Sequence, residues 1–337
     1  MEIKIPRNLD LKSSIKFINK LEIDENADGI IYNYEDMNGK LEPMGMLLVG
    51  SKIREVIREY PNIKQWDSFF EDKSYAANMG FFKSVNQNFG KECTGIRAKG
   101  NFISVNGEKI QESYRKALDL GYGTDITRYI NDVIAEDIAN VLSKNNPYIK
   151  DLMKFCIVEV IRNIYDHSQS EKLWYSGQYW PTKDLIEIAI LDEGKGIFDT
   201  LRNNKRIVIN TPEEALKLSL YPGISKNGAS ILSKEVNGNL GFGLYMIKSI
   251  CDYAGSFTVI SSGVCLNIEN NVQTIETIKF RGTAIRIRIN PSKLKLESIK
   301  NLMSELSRKG TSRLKELKEL SKTDKISISD VNRLEVI

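Results

Sequence analysis

The stretch LIEIAILDEGKGI, residues 185–197, decides the fold. Its first seven residues are apolar and β-branched with one acid among them, the composition of a strand. The run ends directly in Asp192-Glu193-Gly194-Lys195-Gly196-Ile197. An acid at a strand end followed by two glycines lets backbone approach a flat ligand closely, while the carboxylate accepts an N–H. Upstream, a helix is expected to follow Pro147 and run to about Ser168. Ile149, Leu152 and Cys156 form its buried stripe, and the same spacing then leads to Glu159, Asn163 and Asp166. Polar residues where the period predicts Leu or Ile need something to satisfy them, such as a metal, a phosphate or a partner side chain.

Two further glycine motifs lie downstream. Gly238-Asn239-Leu240-Gly241-Phe242-Gly243-Leu244 opens a helix, where free backbone N–H groups and a positive dipole end suit a phosphate. Arg281-Gly282-Thr283 falls between two expected strands. SFTVISS, LNIEN, TIETIKF and TAIRIRI read as successive antiparallel strands.

These four signals in this order resemble the GHKL ATPase superfamily, which includes the ATPase subunit of DNA gyrase, mismatch-repair ATPases, large heat-shock chaperones, sensor histidine kinases and anti-sigma-factor serine kinases. E-x-x-x-N-x-x-D-H at 159–167 resembles its N box, DEGKGI at 192–197 its G1 box and GNLGFGL at 238–244 its G2 box. The resemblance implies a Bergerat-type α/β sandwich over 119–291, a mixed, largely antiparallel sheet covered by helices on one face. A smaller α/β domain at 1–118 would precede it and a lysine-rich helical tail at 292–337 would follow.

The resemblance also implies ATP and Mg²⁺ as ligands. Glu159 would be the general base that orients the attacking water or hydroxyl, and Asn163 would hold Mg²⁺. Asp192 would bond the adenine amino group, with Gly194 and Gly196 letting backbone pass the base and Thr283 supporting it through a water. Gly241 and Gly243 would cradle phosphates. Asp166, Ile197, Gly238, Leu240 and Leu244 complete the implied ligand contacts. Residues 198–237 take the place of the lid, with Arg202, Lys205, Arg206, Lys226 and Lys234 as candidate phosphate contacts.

Departures from the family narrow the expectation. The single histidine, His167, lies inside the N-box segment, so a sensor kinase's separate acceptor histidine is missing. The 46 residues after Pro291 are too few for the transducer domain of a topoisomerase or mismatch-repair protein. The expected function is a nucleotide-dependent regulatory switch that hydrolyses ATP or passes its γ-phosphate to a protein serine. A chaperone-like or phage-defence-associated ATPase that dimerises on ATP, and a catalytically idle nucleotide-binding module, stay open. A protein partner or a homodimer is expected in each case.

Around this centre, residues 1–60 read as β-α-β-α, with Asp10 near the start of the first helix and Pro61 ending the second. They resemble a STAS-like regulatory domain, in which Ser51 would be the nearest phospho-acceptor candidate, although a helix-surface serine is the favoured reading. Residues 62–115 resist assignment beyond short strands near GIRAKGNFISV and a hairpin turn at Asn106-Gly107. Thr124 or Asp125 would cap a helix over ITRYINDVIAEDIANVLSK. The tail should be helical with a break at Gly310, and its Leu294, Ile299, Leu302 and Leu306 recur as an apolar face.

Composition fits a folded, non-membrane chain. Its 337 residues carry 48 Lys+Arg against 44 Asp+Glu, with 41% hydrophobic residues, ordinary for a globular protein of about two domains. No run approaches the 18 apolar residues of a membrane span, and MEIKIPRNLD lacks a leader's apolar core, so a cytoplasmic site is expected. Four cysteines fall singly as buried thiols rather than a zinc site. The tail's eleven basic and seven acidic residues match the whole chain's surplus of four, without the aromatic interleaving that would indicate nucleic acid.

Overall fold

Residues 1–90, 100–225, 241–294, 299–321 and 325–336 are described by the computed structural model. Strands β1 (Glu2–Lys4), β2 (Gly29–Asn33) and β3 (Lys64–Ser68) form a parallel sheet in that order, connected through helices α1 (Leu11–Lys20) and α2 (Pro43–Glu59). Asp10 caps α1 by accepting from the Ser13 N–H at 2.8 Å, as its place before an apolar-periodic run predicts. Two short helices, α3 (Ser74–Asn78) and α4 (Phe81–Ser84), lead to β4 (Phe102–Lys109) and α5 (Ile110–Asp119).

A second sheet holds the rest together. Helices α6 (Ile126–Tyr129) and α7 (Glu136–Ser143), joined by a π turn, precede α8 (Pro147–Asn163), whose own continuation Ile164–Ser168 is also a π turn. Asp125 and Asn146 cap these segments, and Pro147 occupies the first helical position, where its missing N–H costs nothing. Strands β5 (Lys172–Trp180) and β6 (Leu185–Asp192) follow, then α9 (Ile197–Leu201), β7 (Ile207–Val208), α10 (Pro212–Ser219) and α11 (Gly243–Ala254). The chain continues through β8 (Gly255–Ser261), β9 (Val264–Glu269), β10 (Val272–Thr277), β11 (Thr283–Ile289), α12 (Ile299–Leu320), β12 (Ile326–Ser327) and α13 (Ile328–Val336). The large sheet has the order β10-β9-β8-β11-β6-β5-β4, with every neighbouring pair antiparallel.

Strand β6 shows why this sheet is doubly covered. Its Ile188 and Ile190 enter a core with α8 and α11, where they meet Cys156, Ile157 and Ile250. Its Ala189 and Leu191 enter a different core with the N-terminal unit, alongside Leu47, Phe81 and Trp174. The period-2 pleat sends alternate side chains to opposite faces, so both sets must be apolar. Truncating a fully buried residue such as Ile157 to Ala would cost about 2–5 kcal/mol. Glu187, mid-strand, is one of two polar exceptions with the terminal Asp192, and is fully buried at 0% exposure. Its carboxylate accepts from the Met44 N–H at 3.0 Å, at the start of α2, and from Arg288 at 2.6 Å. Arg288 also binds Glu42 at 2.6 Å, so the charge of the buried acid is compensated where the N-terminal unit meets the sheet.

Several expectations are corrected. Asn106-Gly107 is not a hairpin turn: β4 runs through both, with a register shift between Ile103 and Asn106. Gly107 is a glycine because a Cβ there would lie 2.5 Å from the Trp174 ring on the neighbouring strand. Gly310 does not break the tail, since α12 passes through it without interruption. A Cβ at 310 would lie 2.7 Å from Phe242 and Tyr245, so close packing explains that glycine. Ser51 is buried at 4% exposure rather than on a helix surface. Cys156, Cys251 and Cys265 are buried free thiols, while Cys93 lies outside the described residues. Among the described residues no helix is long and apolar enough to cross a membrane.

Candidate functional site

One cavity of about 440 Å³ opens between α8, the end of β6, the start of β11, α11 and α12. From α8 come Glu159 and Asn163, one helical turn apart and hence on one side of the helix. Asp166, expected on the same side, is exposed and absent from the wall. The π turn over Ile164–Ser168 adds a residue per turn, so the 3.6-residue register that aligned Asp166 with Asn163 does not extend to it.

Asp192 forms the floor, at 1% exposure. Its Oδ1 accepts the Gly194 N–H at 2.9 Å, and the Thr283 backbone also bonds it. Burial dominates nonetheless and pushes its carboxyl up from 3.8 to about 7. Beside it, Ser261 Oγ accepts the Ile197 N–H at 2.8 Å and lies 3.1 Å from Thr283 Oγ1, which ties the loop after β6 to β8 and β11. Gly196, Ile197 and Thr283 line the cavity here. Gly194 does not; it packs against the Ser168 carbonyl, where a Cβ would approach to 2.1 Å.

Glu159 faces the other end. Burial raises its pKa, and the charge of Arg162 opposes that shift. The two side chains pair at 2.6 Å. A Cβ on Gly243 would sit 2.2 Å from Glu159 Oε2, so only glycine lets this carboxylate reach the first turn of α11. The unpaired N–H groups of a helix start make that corner favourable for anions. Gly241, Gly243 and Leu244 join the wall, whereas Gly238 and Leu240 lie outside the described residues.

No family model, no curated protein and no solved structure matches the chain.

The site is therefore defined by its geometry. Of the candidate lid cations, Arg202, Lys205 and Arg206 are exposed and away from the cavity wall; Lys226 and Lys234 lie outside the described residues. Arg202 instead pairs with Asp199 at 3.3 Å. Among the described residues the lysine and arginine on the wall are Arg162 and Lys195, neither singled out from sequence. Arg162 stands next to Asn163 in a helical motif, so a basic side chain one step from the polar stripe was the available signal. Ser307 and Thr311 of α12 also line the cavity, and no local pattern announces a contact that distant in sequence. No group of three or more His, Cys, Asp or Glu side chains among the described residues could hold a metal ion by itself.

Proposed function

We propose that this cavity binds ATP with Mg²⁺ and that the chain acts as a nucleotide-dependent switch, hydrolysing ATP or passing its γ-phosphate to a protein serine. The observation that carries this is the shared cavity of Asp192, Glu159 and Asn163: an acceptor for a base amino group at one end, and a general base with an oxygen ligand at the other. The volume falls within the range of small-molecule and cofactor sites, roughly 300–1,000 Å³. Asp192 fits the purine end because a buried carboxylate with a free lone pair is costly until an N–H donor meets it. Asn163 fits the metal end: its amide oxygen is a hard ligand, and Mg²⁺ bound through one or two side chains takes its other ligands from phosphates and water. Such an ion supplies charge neutralisation at the phosphate oxygens. Glu159 would accept the proton of the attacking hydroxyl, its basicity raised by burial.

One observation favours the idle nucleotide-binding module as a second reading. The Arg162 pair holds the Glu159 carboxylate and makes it a weaker base. Incubation with γ-labelled ATP, alone and with cell lysate, separates the outcomes: free phosphate for an ATPase, labelled protein for a kinase, neither for an idle module. Calorimetric titration of Mg·ATP into wild-type and Asn163→Ala protein tests the site itself. Loss of Mg²⁺-dependent affinity in the variant is expected, and equal affinities would remove Asn163. A protein partner or a second copy of the chain is the expected recipient of the signal.

A further inference from the structure

Behind the floor of the first cavity lies a second one of about 540 Å³, between α2, the end of α4, the edge strand β4 and its neighbour β5. Where the first cavity balances two acids with two cations, this one has cations in excess. Arg54, Arg58, Lys83 and Lys172 line it, against the acids Glu171 and Glu193. Arg54 stacks 3.6 Å above the Trp174 ring and donates to the Ser84 carbonyl at 3.1 Å, so its guanidinium is fixed in place. Its Nε and Nη2 hold Glu193 at 3.0 and 2.7 Å, with Arg58 3.7 Å from the second oxygen. The cluster therefore already binds one oxyanion, a carboxylate of the chain itself.

Lys83 and Lys172 remain. Among the described residues neither has an acid within ion-pair distance: Lys83 donates to the amide of Asn88, and Lys172 lies 5.4 Å from the Trp174 ring. Both are half-buried. Two ammonium groups with no acid partner among the described residues, in a concavity beside a loosely held arginine, attract anions carrying several negative oxygens. Asn86 and Asn106 add amide groups to the same wall.

We propose that this cleft is a second ligand site, for a small phosphate-bearing anion, held by Lys83, Lys172 and Arg58. It is independent of the nucleotide cavity in chemistry but joined to it in structure. Glu193, which the cleft holds, directly follows Asp192, which floors the other cavity. An anion that draws Arg58 away from Glu193 acts on the loop carrying Asp192.

Pyrophosphate in metal-free buffer, titrated calorimetrically into the full chain, tests this. Three proteins are compared: wild type, the double variant Lys83→Gln/Lys172→Gln, and Asn163→Ala in the first cavity. Saturable binding is expected in wild type and in Asn163→Ala, and binding at least about tenfold weaker in the double variant, since two charge-assisted contacts are lost. Glutamine removes the charge but stays polar and keeps most of the side chain at these half-buried positions, and a thermal melt verifies folding. Binding by the double variant at wild-type strength, loss of all binding in Asn163→Ala, or no binding to wild type at millimolar pyrophosphate would each overturn the proposal. Should pyrophosphate behave as expected while Mg·ATP fails to bind, the nucleotide proposal falls and this one stands.

Discussion

The two cavities share a wall and differ in nearly everything else. The first sets Asp192 and Glu159 among Val160, Ile190 and Ile285, with Arg162 and Lys195 balancing the two acids on the same wall. The second is lined by cations over an indole. What separates them is one peptide bond, because Asp192 and Glu193 leave the end of β6 toward opposite faces of the sheet. A strand end thus sorts two consecutive carboxylates into different environments. The buried one has its ionisation suppressed, while the other is bonded by Arg54 and Arg58.

The strongest test of the first cavity is Glu159→Ala. Removing a positioned base typically lowers a rate 10²–10⁴-fold. Release of labelled phosphate should drop by that order while Mg·ATP affinity stays near wild type. Turnover at the parent rate would take Glu159 out of the chemistry and leave the two cavities alike, as binding sites only.

Asp192→Asn should act next in size, weakening ATP binding by about ten- to a hundredfold, as expected for losing a charge-assisted bond of about 1.5–3 kcal/mol. Its pH signature is separate. The carboxyl pKa is raised to about 7 in the folded chain, so the folded state holds this proton more tightly than the unfolded one. The stability this provides is complete below about pH 4 and is lost as pH rises through 7. Asparagine has no such loss. Thermal melts of the ligand-free proteins from pH 5 to 8 should therefore show the variant gaining on wild type as pH rises. Parallel curves would mean that Asp192 is not the suppressed acid.

Arg54→Gln should have the smallest effect, because it reaches the first cavity only through Glu193. Coupling across such a contact is worth roughly 0.5–2 kcal/mol, so ATP affinity should fall by about two- to thirtyfold. Glu193→Gln should do the same, and the double variant should add little beyond either single change. Strict additivity in calorimetry would show that the two residues act separately and that the shared wall transmits nothing.

Sequence periodicity located the elements that carry the site. The apolar run 185–191, the Pro147 helix and the caps at Asp10 and Asp125 depend on neighbours within four residues, and such signals are local by nature. The failures share a different cause. Asn106-Gly107 and Gly310 look like punctuation in the sequence, a common role of glycine, but Gly107 and Gly310 make room for aromatic rings that arrive from elsewhere in the chain. Trp174 stands on the next strand and Phe242 just before α11, so nothing near either glycine in sequence announces them. The same distance hid Arg54, Ser307 and Thr311. Asp166 was misplaced by a π turn, which no hydrophobic period encodes.

Helix α12 has one more consequence, which concerns time rather than energy. Its Ser307 and Thr311 are the last wall residues of the first cavity to be synthesised, after Thr283 and Ile285. Chains emerge from the ribosome at about 5–20 residues per second and fold from the N-terminus onward. The floor and the acids can thus be in place while one side of the cavity still stands open. Gly310 lets the arriving helix settle against Phe242 and Tyr245, the aromatic pair beside Gly243. The side of the wall that α12 supplies is therefore the last part of the cavity to be made.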